Sequence, residues 1–379
     1  MFELTKSQRE IQKAAVEFAK GEFEKDLSQE LDRSQQFPGK IWRTAGDLGF
    51  IGMHYPEEFS GQSLGMLDYL LVVETLCRKD STLGSALALA GFAAECILKF
   101  GTDDIKEKVL SMIAEGQMLS GAAPLSTSSE AATLFAEQTD DSWCLNGYAY
   151  RVINGGQAGC YCLLCKTDNA ATPEKSLSMF LVSADLKGLS VESPAETLGL
   201  RMTPVATLHL KNVHVPSACL LGKPGAGLSQ YKFFGNICRL TYAAMALGTA
   251  QGAQDRALDY TKQREQFGKK IAGFQVSEHK IADMAIKIEQ ARFLLYQAAA
   301  TFDRGRSDSK LIAMAKISAC RAAVEVSSEA VQLMGGYGYA SEYEVERFYR
   351  DAKTMEIFPD TPLMLKNDIA KSVIGRIRK

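Results

Sequence analysis

The side chains best suited to binding a ligand or moving a proton fall in a few short segments. One is Cys160-Tyr161-Cys162-Leu163-Leu164-Cys165. A structural zinc site needs a tetrahedral set, usually from two ligand pairs, and no second Cys or His pair stands out. On a strand Cys160 and Cys162 share one face while Cys165 takes the other, so the cluster reads as packing by small apolar thiols and no metal is expected. A second segment is the glycine loop Gln332-Leu333-Met334-Gly335-Gly336-Tyr337-Gly338-Tyr339. Its glycines allow close backbone approach and can turn N–H groups toward an anion, and a helix cap followed by a turn would use them equally well. In a third segment, Arg264-Glu265-Gln266-Phe267-Gly268 closes a helical stretch shortly before Phe274-Gln275. An arginine there can grip a phosphate bidentately or simply stand exposed at a helix end. The histidines, His54, His209, His214 and His279, are scattered, with no nucleophile motif beside them, so no hydrolytic triad is indicated.

The elements that would carry these groups come in three stretches. To about residue 115 the pattern is helical. Thr5 opens an amphipathic run with Ile11, Ala14, Ala15, Phe18 and Ala19 at helical spacing, and Met66–Cys77 and Ala86–Phe100 read as further helices. From about Leu119 to Gly222 short β-forming runs take over: Tyr161–Cys165, Ser178–Val182 and Ala206–Val213. Asn146-Gly147 predicts a hairpin turn between strands. Helical periodicity then returns over 236–265, 276–304, 309–334 and a C-terminal stretch. Helices, strands, helices is an α–β–α order and not an alternating βαβ pattern.

Composition bounds the function. With 46% hydrophobic and 23% charged residues, the chain has enough apolar surface to fold into a large core. Lys+Arg of 43 against Asp+Glu of 45 gives a net charge of -2, which provides no basic field for nucleic acid. No apolar run approaches the ~18 residues of a spanning helix, and the N-terminal sequence has no secretory pattern. Nine cysteines without a regular framework read as reduced thiols, so a soluble cytoplasmic protein is expected.

Taken together, Arg264–Gln275, Gln332–Tyr339, Glu346–Lys353, Gly199–Pro204 and Leu48–Gly52 with Pro56–Gln62 resemble the acyl-CoA dehydrogenase family, in spacing as well as sequence. The resemblance spans nearly the whole chain. It implies an N-terminal all-α domain (1–117), a middle β-barrel or sandwich domain (118–222) and a C-terminal four-helix bundle (223–379). It also implies FAD, a homo-oligomer, commonly a tetramer, an acyl-CoA or acyl-carrier-protein thioester as substrate, and an electron-transfer flavoprotein as acceptor. Carried over by position, Arg264 and Gln275, with Phe267 nearby, meet the FAD pyrophosphate. Gln332, Gly335 and Gly336 meet the adenosine side of a neighbour's FAD, while Ser128 and Thr361 lie at the flavin. Arg239 holds the thioester end of the substrate or the bundle beneath it.

The departures from the family fall at the chemistry. Where members carry Tyr-Glu-Gly-Thr this chain has Phe358-Pro359-Asp360-Thr361, so Pro359 replaces the general-base glutamate. A minority of members place the base just before the arginine equivalent to Arg239, and here that residue is Cys238. Arg151-Val152-Ile153 stands for Trp-Ile-Thr at the flavin ring, and Ala123 for the glutamate of the loop before Ser128. Removing an α-proton needs a positioned base. Asp360 is the expected stand-in, unless it only caps the next helix, and Glu95 in the apolar Gly91–Cys96 stretch is the alternative. The expected activity is α,β-dehydrogenation with a non-standard site. The rival readings are a same-fold oxidase or β-eliminating flavoprotein, and a catalytically silent subunit of a hetero-oligomer.

Overall fold

The computed structural model describes residues 3–123, 133–167, 172 and 175–375. The N-terminal part contains α1 (Lys6–Glu22), α2 (Lys25–Ser34), α3 (Gly39–Asp47), α4 (Met66–Lys79), α5 (Ser81–Ala88), α6 (Ala94–Phe100) and α7 (Asp103–Ala114). Helix α1 starts where Thr5 and Gln8 cap each other reciprocally, and it turns Ala15, Phe18 and Ala19 into the core. The run Ala86–Phe100 is not one helix. It breaks between Ala88 and Ala94, and Asn154 Nδ2 donates to the Leu89 carbonyl at 2.7 Å, which also accepts from Phe92 N at 3.2 Å, and to Ser120 O at 2.9 Å. Apolar periodicity continued across this break, so the pattern could not register it; a side chain from the next domain supports the opened backbone.

The middle part is one eight-stranded sheet made from β1 (Ser120–Ala122), β2 (Leu134–Gln138), β3 (Ser142–Ile153), β4 (Cys160–Lys166), β5 (Leu177–Ser183), β6 (Leu189–Val191), β7 (Val205–Pro216) and β8 (Leu220–Leu221). Its order is β6-β7-β3-β1-β4-β5-β8, with β2 pairing β3 and β4. The hairpin expected at Asn146-Gly147 is absent: β3 runs through it, and the register against β7 slips between Leu145 and Gly147. Asn146 Oδ1 accepts from Asn212 N across that irregularity at 2.8 Å, and Gly147 takes φ +120. Asn-Gly therefore serves a bulge in a long strand, which demands the same backbone freedom as a turn. Strand β4 is buried along Cys160–Cys165 on both faces, with all three of its thiols inside.

The C-terminal part holds α8 (Gly227–Gln263), α9 (Gln275–Asp303), α10 (Ser309–Met334), the short α11 (Gly336–Tyr339), α12 (Val345–Ile357) and α13 (Pro362–Ile374). Helix α8 is the hub, packing on α4, α9, α10 and α12. It meets α4 at very short range through Gly248 and Gly252. A Cβ on Gly248 would lie 2.2 Å from Glu74 O, and one on Gly252 2.3 Å from Arg78 O. The three parts are fastened by buried charge. Arg347 of α12 donates to both oxygens of Asp80 at 2.8 and 2.7 Å and to Ser28 Oγ at 2.5 Å. Burial alone would raise the Asp80 carboxyl, but Arg347 outweighs it and holds the group below its ordinary value. Next to it Asp351 accepts from Thr82 Oγ1 and from Leu200 N, both at 2.6 Å, which ties α5 and the middle domain to α12.

Candidate active site

Two cavities lie on either side of one wall. The larger, of about 330 Å3, opens where the end of β3 and the 195–205 segment meet α8 and α12. Leu89, Ile153, Leu200, Tyr242, Ile357 and Phe358 give it apolar walls. Two polar atoms on these walls, Thr203 Oγ1 and the Tyr242 hydroxyl, are buried without a hydrogen-bond partner among the described residues. Orphaned hydroxyls are costly, and here they would offer hydrogen-bond partners to the polar edge of a ring seated between apolar walls. The region therefore fits a flavin ring.

The smaller cavity, of about 30 Å3, lies on the other side of the α5–α6 break and is walled by α4, α6 and α8. Volume on that scale accepts about one or two atoms beyond a bound water. Its wall carries His54 and Glu95 in a direct contact between Nε2 and Oε1, with side chains 8% and 13% exposed. The His54 ring sits between Tyr55 and Tyr69, with centroids 4.7 and 4.6 Å away. Its Nδ1 is buried without a partner among the described residues. Burial, and then the Glu95 charge, push both tyrosine hydroxyls far above their ordinary range. Cys238 of α8 completes the wall, its thiol raised by burial first and then by Asp360 and Glu95. The two cavities are adjacent along both elements: Ala88 and Thr241 line the smaller, Leu89 and Tyr242 the larger.

Asp360 lines neither cavity. It is 3% exposed, and its Oδ2 accepts from Arg239 Nε at 2.8 Å. Arg239 also donates to Asp368 of α13 at 2.9 Å, and buried Lys316 donates to the Asp360 backbone carbonyl at 2.5 Å. The expectation that Asp360 accepts the substrate proton does not fit this placement, because its carboxylate is already committed to a cation inside the bundle. The capping alternative fails as well: Thr361 is the N-cap of α13, accepting from Met364 N at 3.4 Å. Arg239 is likewise held in the bundle, away from both cavities.

The residues expected on the phosphate side are exposed. Arg264 ends α8 and has no carboxylate partner among the described residues; its guanidinium lies 5.9 Å from the Tyr337 ring centroid. The structure thus brings Arg264 to the glycine loop. Phe267, at φ +53, is 94% exposed, and Gln275, Gln332, Gly335 and Gly336 are exposed too. Gly335, at φ +59, and Gly336 have open space where a Cβ would stand. Ser128 lies outside the described residues.

Sequence reasoning missed His54, Thr203 and Tyr242. His54 and Glu95 are 41 positions apart, so no local spacing links them. The available signal was one imidazole and one carboxylate, His54 and Glu95, each in an otherwise mostly apolar segment, Ile51–Tyr55 and Gly91–Ile97.

The sequence matches three family models, described as the acyl-CoA dehydrogenase N-terminal domain (residues 5–117), middle domain (116–213) and C-terminal domain (225–374). The chain belongs to the acyl-CoA dehydrogenase family. Among its relatives is the probable acyl-CoA dehydrogenase FadE25 of Mycobacterium tuberculosis, 34% identical over 384 residues, covering 99% of this chain and 96% of that protein. A chain in the structure of the electron transferring flavoprotein of Acidaminococcus fermentans superposes with a TM-score of 0.95 at 34% identity, covering 99% and 100% of the two chains. The structure of PigA with FAD and proline does so with a TM-score of 0.93 at 26% identity, covering 98% and 99%. The fold is that of the family, and the protein is an oxidoreductase of the acyl-CoA dehydrogenase type with FAD as its cofactor. Among the described residues no helix is long and apolar enough to cross a membrane.

Proposed function

We propose that the chain dehydrogenates the Cα–Cβ bond of a short acyl thioester, carried on CoA or a carrier protein. The observation that carries this reading is the pair of adjoining cavities, the larger with unpartnered hydroxyls on apolar walls and the smaller with room for only a short acyl end. When bound, FAD supplies the acceptor for the hydride. Thr203 and Tyr242 would meet the polar edge of the ring, with Leu200, Ile357 and Phe358 excluding water from it. Arg264, Phe267 and Gln275 would hold the pyrophosphate. Gln332, Gly335 and Gly336 would reach the adenosine of a neighbouring copy, in keeping with a homotetramer that leaves none of these residues in open solvent. Thr361 and Ser128 keep the cofactor roles that the family resemblance gives them. Electrons would leave to an electron-transfer flavoprotein, and the enzyme would work in the cytoplasm.

The test is anaerobic bleaching of the flavin by a panel of acyl-CoA and acyl-carrier-protein thioesters. Loss of flavin absorbance with short acyl groups supports the reading. A flavin that stays oxidised with every thioester refutes it, and points to the eliminase or silent-subunit alternative.

A further inference from the structure

Removing a proton from the carbon next to a thioester carbonyl leaves a carbanion, and the carbonyl can delocalise it only if a base takes the proton in place. Among the described residues Glu95 is the one carboxylate that lines either cavity. Cavity walls otherwise offer cations (Arg151, Lys353), tyrosines and a thiol, none of them a proton acceptor near neutral pH, and the imidazole of His54, whose Nε2 is already engaged by Glu95. Asp360, the carboxylate nearest in sequence to the family's base, is bound to Arg239.

Glu95 also has the surroundings of a working base. One of its oxygens is engaged by His54 Nε2, while the other has no hydrogen-bond partner among the described residues. His54 is clamped between two tyrosine rings, so the carboxylate it holds cannot swing away. Cys238 of α8 lines the same small cavity as Glu95, and the next turn of α8 carries Thr241 into that cavity and Tyr242 into the ring cleft. The titratable groups facing it are His54 and Tyr55 from the loop before α4, Tyr69 from α4 and Cys238 from α8.

We infer that Glu95, oriented by His54, is the general base that removes the α-proton of the acyl thioester. The Cα–H bond breaks, the proton goes to the free Glu95 oxygen, and the electron pair remains on Cα conjugated with the thioester carbonyl. Glu95 is the catalytic residue of this step and His54 its positioning residue. The inference rests on the thioester reading above, and the experiment separates the two.

Exchange of the α-protons of butyryl-CoA with deuterium oxide, read by mass spectrometry on the FAD-loaded enzyme, reports proton removal whether or not the flavin is reduced. Glu95→Gln keeps the size and the contact to His54. It is expected to lose exchange by about 10²–10⁴-fold, the usual worth of a general base, with FAD content and melting temperature kept, while Glu95→Asp recovers part of the rate. His54→Asn is expected to lower the exchange rate and move its pH profile, which a purely structural histidine would not do. Exchange in Glu95→Gln at the wild-type rate overturns the inference even if the flavin bleaches normally. Glu95-dependent exchange without any flavin bleaching leaves the base in place and overturns dehydrogenation instead. No exchange and no bleaching in the wild type overturns both. Should Glu95→Gln fail to fold, a Glu95→Asp variant with undiminished exchange and an unchanged pH profile would refute the assignment equally.

Discussion

Replacing Asp360 by asparagine separates a structural carboxylate from a catalytic one. In the structure its Oδ2 accepts from Arg239 Nε at 2.8 Å, in a buried setting, and Arg239 keeps a second carboxylate, Asp368, at 2.9 Å. Asparagine retains an acceptor oxygen and loses the charge, so a charge-assisted bond becomes a neutral one of roughly half the strength. With bonds to charged groups worth about 1.5–3 kcal/mol, the expected loss is about 1–2 kcal/mol. Alanine would leave the Arg239 Nε without an acceptor and remove one partner of a buried pair, costing about 3–5 kcal/mol. The donation from Lys316 goes to the Asp360 backbone carbonyl and survives both changes. In a chain of this length each kcal/mol lowers Tm by no more than about 2–4 °C, so Asp360→Asn should melt a few degrees early. Its flavin reduction by substrate, followed anaerobically by stopped flow, should stay within the wild-type order of magnitude. A fall of about 100-fold or more, with FAD content intact, is the signature of a lost base and would refute the structural assignment of Asp360.

Arg347→Ala strands the Asp80 charge in the core and is expected to cost about 3–5 kcal/mol by denaturant unfolding, while pairing Arg347→Met with Asp80→Asn restores much of it. Burial raises the Asp351 carboxyl to about 6 despite the bonds from Leu200 N and Thr82. Because the folded value lies above the unfolded value of about 3.9, the stability this group gives is complete below about pH 4 and lost as pH rises through 6. The swing is up to about 3 kcal/mol, and Asp351→Asn should remove that slope from urea midpoints measured between pH 4 and 7; an unchanged slope would refute it. Arg264→Ala should purify with markedly less flavin per chain, since a charge-assisted contact to phosphate is lost; full flavin content would remove Arg264 from the cofactor site. Gly252→Ala forces a methyl against Arg78 O at 2.3 Å and should destabilise by about 1–3 kcal/mol, read from the unfolding midpoint.

Much of the architecture was legible from periodicity and turn chemistry. Thr5 marked the first helix start, the 309–334 period matched α10, and the runs at 161–165 and 178–182 lie within β4 and β5. What failed were positions where one local signal has two physical uses. Asn146-Gly147 announces positive φ but not whether a turn or a bulge consumes it. The apolar period of Ala86–Phe100 says which faces are buried but cannot show Asn154 arriving from another domain to hold an opened backbone. The site divided along the same line. The expectation that Pro359 stands where the family carries its base came from the resemblance alone, and Glu95 could be suspected as a lone carboxylate among apolar residues. That His54 holds it, and that Arg239 has taken Asp360, are facts of tertiary packing with no local trace.

The glycine contacts between α8 and α4 have a consequence for how this protein can change. With Gly248 and Gly252 seated on the carbonyls of Glu74 and Arg78, α8 can neither slide along α4 nor roll against it without driving backbone into backbone. Cys238, Thr241 and Tyr242, which lie within about three turns of that seat on the same helix, are fixed with it. The partition between the two cavities is therefore a rigid jig. A lineage that came to accept bulkier acyl groups would do so by trimming side chains such as Phe92, Phe234 or Ile237, in steps of whole carbon atoms, rather than by letting the helices drift apart.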